Sequence, residues 1–135
     1  MNMAPVSQMK VEDYKEDNFV CKIVMEGGLT CKTYTVRTED GFDLSVFRVT
    51  DALAFKKGAP AVLLQHGLFS DSVMWVTHKE KSLAFVLARN GYDVWLGNNR
   101  GSLFSRNNIH YDPYINYREY HDYSFYELGK YDLPA

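Results

Sequence analysis

The sequence predicts an α/β domain whose sheet the given residues leave incomplete: an antiparallel hairpin, then a strand, a helix and a second strand. Three observations predict it. Apolar and polar residues alternate on both sides of Asp40-Gly41; two short unbroken apolar runs, AVLLQ and YDVWLG, follow; and a stretch with helical apolar spacing lies between those runs. Alternation with a period of two marks strands with one wet face, whereas unbroken apolar runs mark strands covered on both faces.

Taken in order, residues 1–20 (MNMAPVSQMKVEDYKEDNFV) read as a polar N-terminal arm, and residues 21–135 as the folded part. From Cys31 to Thr38, Tyr34 and Val36 alternate with polar neighbours. Asp40-Gly41 then supplies a tight turn, and Phe42, Leu44 and Val46 resume the alternation. Residues 50–60 form a polar connection ending in Pro60, after which AVLLQ runs to His66-Gly67 as a strand buried on both faces. Between Lys79 and Asn90, Leu83, Val86 and Leu87 sit at helical spacing beside Ala84 and Ala88, and Asn90-Gly91 stops the helix. YDVWLG is the next strand, which makes the connection a right-handed parallel crossover. The loops leaving the two strands, His66 to Ser72 and Gly97 to Ser105, then lie on one edge of the sheet, where functional loops gather.

Tyr recurs at every third position from 111 to 126. A continuous helix of threefold period is uncommon and Pro113 interrupts it, so a surface loop with half-buried rings is expected in preference to a stacking platform for sugar or nucleic acid. The last residues read as a helix start, with Asp132 as N-cap and Pro134 in the first turn.

Bulk properties exclude several classes. The 15 basic and 17 acidic residues give a net charge of -2, so no overall field recruits nucleic acid or an anionic membrane. Cys21 and Cys31 are too few for a disulfide scaffold and lack neighbouring zinc ligands, so both are expected to be ordinary thiols. Neither a transmembrane helix nor a signal peptide is written in these residues.

The chemically informative stretch is PAVLLQHGLFSDS. A buried strand that ends in His-Gly and turns can aim backbone N–H groups into a cleft, as acyl transfer requires. Preorganised amides facing the negative oxygen of a tetrahedral intermediate contribute ~10²–10³ in rate per donor. Leu68 is the expected donor. Gly67 is expected to take a backbone angle closed to residues with a Cβ, and His66 to tie the loop down through its ring. The loop Gly97-Asn98-Asn99-Arg100-Gly101, with Ser105-Arg106, reads as a turn pinned by an internal Arg–carboxylate bond rather than an anion site. Neither GxGxxG nor GxxxxGK[ST] occurs, and His78, His110 and His121 lack metal-ligand spacing. Ser70, Ser72, Ser102, Ser105 and Ser124 are present, but none lies in GxSxG.

The blocks PAVLLQHGLFSDSVMW, EKSLAFVLARNGYDVWLGNNRG, FSR and YSFYELGKYDLPA, in that order, resemble the acid lipase family of α/β-hydrolases, from about Val36 to Ala135. The resemblance implies the N-terminal part of an α/β-hydrolase fold. In the whole family domain, eight strands and a lid serve a Ser, His and Asp triad that hydrolyses triacylglycerols or steryl esters. No cofactor or metal is implied. The family's oxyanion-hole amide after His-Gly falls on Leu68, while the GxSxG nucleophile and the Asp and His belong to sequence past Ala135, so these residues alone are expected to be inactive. The chain departs from the family at Gly28-Leu29-Thr30-Cys31-Lys32, at Arg100-Gly101-Ser102 and at Tyr126.

The implied partners are a lipid ester and, through it, a lipid–water interface, with no nucleic acid. The family's compartments, secreted or lysosomal in animals and membrane or lipid droplet in fungi, leave location open. Two other readings stand beside lipid ester hydrolysis. One is a catalytically inactive half-domain kept as an interaction or regulatory piece; the other is a hydrolase of different chemistry such as an epoxide hydrolase, against which KYDLPA speaks.

Overall fold

The computed structural model describes residues 18–135. The reading of a polar arm therefore lies outside the described residues for residues 1–17, and it is corrected for residues 18–20. These open a helix, α1 (Asn18–Glu26), in which Val20, Cys21, Ile23 and Val24 are buried. Apolar positions spaced by three and four residues make one dry stripe on it. Gly28, with φ of 80°, ends the helix in the left-handed conformation, and the Leu29 N–H returns to the Val24 carbonyl.

Strand β1 (Thr30–Arg37) runs back beneath α1, and this corrects the expectation of two ordinary thiols. Cys21 on α1 and Cys31 on β1 form a disulfide, with their Cα atoms 5.2 Å apart. The bond closes a short loop and clips the helix to the edge strand.

The hairpin is as the alternation predicts. β1 pairs antiparallel with β2 (Phe42–Thr50) in an unbroken register from Thr30↔Thr50 to Arg37↔Asp43. Gly41 has φ of 96°, and the Gly41 N–H bonds the Thr38 carbonyl. β2 is long enough to serve two cores. Phe47 and Val49 join α1 and a second helix in the main core, while Phe42 and Leu44 point to the opposite face and pack with Tyr120.

The sheet order is β1-β2-β4-β3, with β3 (Ala61–Gln65) parallel to β4 (Asp93–Gly97) and β4 antiparallel to β2. Within β3 only Leu64 is buried and Leu63 is half-exposed. Burial of AVLLQ on both faces is thus not observed, because among the described residues β3 is paired on one edge only and no helix covers the side of the sheet that carries Leu63.

Helix α2 (Leu83–Arg89) joins these strands, and it differs from the expected helix in length and in phase. Lys79–Lys81 form a separate 3₁₀ turn, and Ser82, at ψ of 146°, breaks the chain between turn and helix. The face toward the sheet is Ala84, Phe85 and Ala88, while Leu83 and Val86 point to solvent. Two alanines let the helix approach β2 and β4 closely, and Gly27 leaves room for the Phe85 ring.

Beyond β4 the chain forms a short bridge β5 (Asn107–Asn108) on β2, then α3 (Tyr117–Tyr120) and α4 (Phe125–Glu127), joined to a π-type turn over Leu128–Asp132. As expected, this is surface chain rather than one helix of tyrosines, but the expectation of half-buried rings is corrected for all but Tyr123. Tyr120 is buried and Tyr123 half-buried, while Tyr111, Tyr114, Tyr117 and Tyr126 are exposed. The expected cap at Asp132 is corrected. Ser124 is the capping residue, its hydroxyl accepting from the Tyr126 N–H while Glu127 accepts from the Ser124 N–H, and Asp132 is buried elsewhere.

Candidate active site

Parallel pairing of β3 with β4 in the register Gln65↔Gly97 makes the two following loops leave side by side. His66, the first residue out of β3, is 7% exposed and lies between them. Its Nε2 accepts the Asn99 N–H at 3.0 Å, so that nitrogen carries no proton. The ring proton is therefore on Nδ1, which donates to the Gly67 carbonyl at 2.8 Å. Alongside, Gln65 Nε2 donates to Asn99 Oδ1 at 2.6 Å. The loop after β3 is thus held to the loop after β4 through both Gln65 and His66, the tie expected of His66.

Gly67 does not play the expected conformational part. It is not among the glycines at positive φ, and a Cβ built on it meets nothing within 4 Å. The residue in the left-handed region is Phe69, at φ of 59°, with its side chain 98% exposed. A bulky residue there carries strain of about 1–3 kcal/mol, which the surroundings must hold. They do so just downstream: Asp71 accepts the Val73 N–H at 2.9 Å, and the buried Asn98 Oδ1 accepts the Ser72 N–H at 3.0 Å. Leu68 sits between these downstream ties and the His66–Gly67 tie upstream. Its N–H has no acceptor among the described residues.

The two loops and the segment from Tyr123 to Leu128 enclose a cleft of about 550 Å³. Leu68, Phe69, Leu103, Phe125 and Leu128 supply apolar walls, and His66, Asn99 and Ser102 line its polar part. The volume falls in the range of small-molecule sites, which are mostly apolar with a few fixed polar groups.

Behind this cleft, the expected Arg–carboxylate pin is present and is double. The Arg100 side chain is 1% exposed; its Nε donates to Asp132 Oδ1 at 2.7 Å and its two terminal nitrogens to Asp40 at 2.6 and 2.8 Å. The Arg100 backbone N–H also bonds Asp132, at 2.8 Å, and the guanidinium lies 4.3 Å from the centre of the Phe42 ring. Burial pushes the Asp40 carboxyl up, but its bonds to Arg100 and Thr38 outweigh burial and hold it below the usual range. At Asp132 burial outweighs the bonds from Arg100 and the carboxyl lies above its usual value.

Of the serines, Ser70, Ser102 and Ser124 line the cleft, whereas Ser72 and Ser105 are buried behind it. The Ser105 hydroxyl donates to the Asn98 carbonyl and accepts the Ser45 N–H, Ser70 contacts Met74 Sδ, and Ser124 donates to Glu127. Among the described residues no serine hydroxyl bonds a histidine ring, the Ser82 hydroxyl accepting only the His78 backbone N–H, and no group of three His, Cys, Asp or Glu is placed to hold a metal. His78, His110 and His121 are exposed and away from the cleft, as expected. The sequence reading missed Phe69, whose type gives no sign of positive φ. It also missed Asp40 and Asp132 as partners of Arg100, because each lies far from it in the chain.

Comparison with known proteins gives this geometry a family. Residues 20–79 match the partial alpha/beta-hydrolase lipase region, and residues 60–131 match the alpha/beta hydrolase fold. Gastric triacylglycerol lipase of Rattus norvegicus is 42% identical over 120 residues, which are 86% of this chain and 30% of that protein. Lipase 1 of Drosophila melanogaster is 40% identical over 134 residues, 97% of this chain and 29% of the relative. Lysosomal acid lipase/cholesteryl ester hydrolase of Homo sapiens is 41% identical over 120 residues, 86% of this chain and 30% of the relative. The chain spans about 30% of the length of these relatives. With a hydrolase-fold match covering more than half its residues, a lipase-region match before it, and gastric and lysosomal acid lipases as relatives, the chain belongs to the α/β-hydrolase family and to its acid lipase branch.

Proposed function

We propose that this chain forms the oxyanion-hole part of a carboxylic ester hydrolase that cleaves lipid esters, glycerides or steryl esters, by a Ser-His-Asp mechanism. The observation that carries the reading is the Leu68 N–H, which lacks an acceptor among the described residues and sits on the wall of an apolar cleft. A donor of this kind gains its acceptor when carbonyl oxygen becomes oxyanion, so it lowers the barrier rather than tightening ground-state binding. His66 acts on the geometry of the loop through its two bonds, and Gly67 supplies the carbonyl that His66 holds. The nucleophilic Ser in its GxSxG elbow, and the Asp and His that activate it, are assigned to sequence beyond Ala135, since no GxSxG occurs in this sequence and no serine hydroxyl among the described residues bonds a histidine ring. Phe69 and Phe125, exposed at the cleft, would meet the acyl chains of a lipid–water interface.

Leu68→Pro in the complete enzyme removes this N–H and should lower kcat by ~10²–10³ with KM changed far less. A folded variant with unchanged kcat would refute the role of Leu68. Residues 1–135 assayed alone should hydrolyse no ester above background; activity abolished by Ser70→Ala or Ser105→Ala would place the nucleophile in this chain instead. The second reading, a non-catalytic interaction piece, is favoured by the outer edge of β3, which pairs with no strand among the described residues. A complete gene lacking GxSxG would select it.

A further inference from the structure

We infer that Arg100, with its two carboxylates, is a positioning residue for the oxyanion loop, acting on Leu68 through Asn99 and His66. The inference rests on the role proposed for Leu68 and adds to it the group that sets where that N–H lies. Arg100 lines the cleft, but its side chain is 1% exposed and is assigned no substrate contact in this reading. Its fork and backbone N–H are fixed at Asp132, which grips both, and at Asp40 in the hairpin turn. Four bonds to one residue fix the Asn99–Arg100 peptide and so hold Asn99 from its C-terminal side, while the Asn99 N–H lies in the preceding Asn98–Asn99 peptide, whose carbonyl accepts the Ser105 hydroxyl. This N–H is the donor that His66 Nε2 accepts, and the other nitrogen of the same ring holds the Gly67 carbonyl. The Gly67 carbonyl and the Leu68 N–H belong to one planar peptide unit, so fixing the carbonyl direction fixes the N–H direction.

Beyond Asn99 each link in this relay is a hydrogen bond between part-buried groups, so a displacement of Arg100 that moves Asn99 is passed on toward Leu68. The chemistry of the residue fits the task. Guanidinium presents donors in a rigid planar fork that can serve two carboxylates at once, whereas an ammonium can hold them only as a point charge. Stacking over Phe42 fixes the plane of that fork from the hairpin side. The arrangement also explains why Asp132 is buried against Arg100 rather than capping a helix.

The test uses the complete enzyme, with Arg100→Lys, the milder Asp40→Asn and, separately, Leu68→Pro. Asp40→Asn leaves the bonds between Arg100 and Asp132 in place, and its carboxylate is the more exposed of the two. Two readouts are taken: kcat and KM on a soluble short-chain ester, and local amide exchange over residues 66–70 and 42–50. Arg100→Lys should lower kcat about tenfold with KM within about twofold, since misplacing a donor costs rate rather than binding. It should also speed exchange at 66–70 while leaving 42–50 unchanged. Asp40→Asn should do the same to a lesser degree. Unchanged kcat in folded Arg100→Lys, or a faster exchange spread evenly over both segments, would overturn the inference, as would failure of both milder variants to fold. If Leu68→Pro leaves kcat intact while Arg100→Lys still loosens 66–70, the oxyanion reading falls and the mechanical coupling stands. The reverse pattern removes the coupling and keeps the oxyanion hole.

Discussion

The two faces of the sheet are built from the same strands yet differ in what they bury. On one face Phe47 and Val49 of β2, Val94 and Leu96 of β4 and Leu64 of β3 meet α1 and α2, and nearly all are closed to solvent. On the other, Val36, Leu44, Val46, Leu63 and Trp95 line a groove of about 370 Å³ that also takes in Leu133 and Ala135. Strand propensity is alike on both faces; helices are not. A pleated strand offers two apolar rows to its surroundings, and each row contributes to stability only where another element dries it.

The largest test of that contrast compares a truncation on each face. Phe47→Ala, on the covered face, should destabilise the protein by about 3–5 kcal/mol, because it leaves a cavity under α1 and α2. Leu63→Ala, on the open face, should cost less than about 1 kcal/mol, since half of that side chain is already wet. Urea midpoints of the two variants measure both, and equal losses would show that the open face is covered in solution.

A second prediction concerns how the covered face keeps its first helix. The Cys21–Cys31 disulfide closes a loop with a separation of 10 residues. Cys21→Ser should therefore lower stability by about 2–3 kcal/mol, the chain-entropy value for so short a loop. The thermal midpoint of the oxidised protein against the Cys21→Ser variant checks this, and Leu63→Ala should add independently to it because the sites lie on opposite faces.

The same two faces separate what was legible in the sequence from what was not. The hairpin and the strand–helix–strand order were readable because each rests on local spacing and on turn residues such as Gly41. Helix α1 was also written in local spacing, at Phe19, Val20, Ile23 and Val24, but the acidic and basic residues just before it masked the stripe. Missing the helix hid the disulfide, since nothing then brought Cys21 over Cys31. The phase of α2 was not decidable from spacing alone. The stripe of Leu83, Val86 and Leu87 and the stripe of Ala84, Phe85 and Ala88 both recur at helical intervals, and close approach to the sheet selected the smaller residues. Burial of β3 on both faces failed for a different reason: it depends on a cover that no residue of β3 specifies. At the site, the tie that His66 makes between the two loops was readable from the strand that precedes it. The left-handed Phe69 and the grip of Asp132 on Arg100 were set by tertiary contacts.

A third prediction lies where the open face is closed at one end by the hairpin. Gly41 has φ of 96°, and a Cβ there would come within 2.8 Å of the His110 ring and 2.9 Å of Ile109. Gly41→Val should cost roughly 1–3 kcal/mol through the backbone angle alone. Gly67→Ala, at a glycine with neither feature, should leave stability within about 0.5 kcal/mol of the parent. If both substitutions cost the same, conformation at the turn is not what Gly41 provides.

The smallest effect is expected at Tyr120, which packs on Phe42 and Leu44 and closes the same end of the open face. Its ring centre lies 5.3 Å from that of Phe42, and its hydroxyl donates to the Arg106 carbonyl at 2.8 Å. Burial pushes the phenol up to about 12 from the ordinary 10. A phenol held protonated by the fold stabilises it fully below pH 10, where the unfolded chain is also protonated. That stability is lost as pH rises, because the unfolded state ionises first and gains free energy that the folded state cannot match until about pH 12. Between pH 10 and pH 11 the loss should be about 1 kcal/mol, from the value of one pKa unit. Tyr120→Phe keeps the ring on Phe42 and removes the proton, so its stability should be flat across that interval relative to the parent. At neutral pH it should lose only the bond to Arg106, about 1 kcal/mol. Denaturant titrations of both proteins from pH 8 to 11 measure the difference. Parallel curves would mean that Tyr120 ionises as freely in the folded state as in the unfolded one, and that the Phe42 end of this face is as open as the groove beside it.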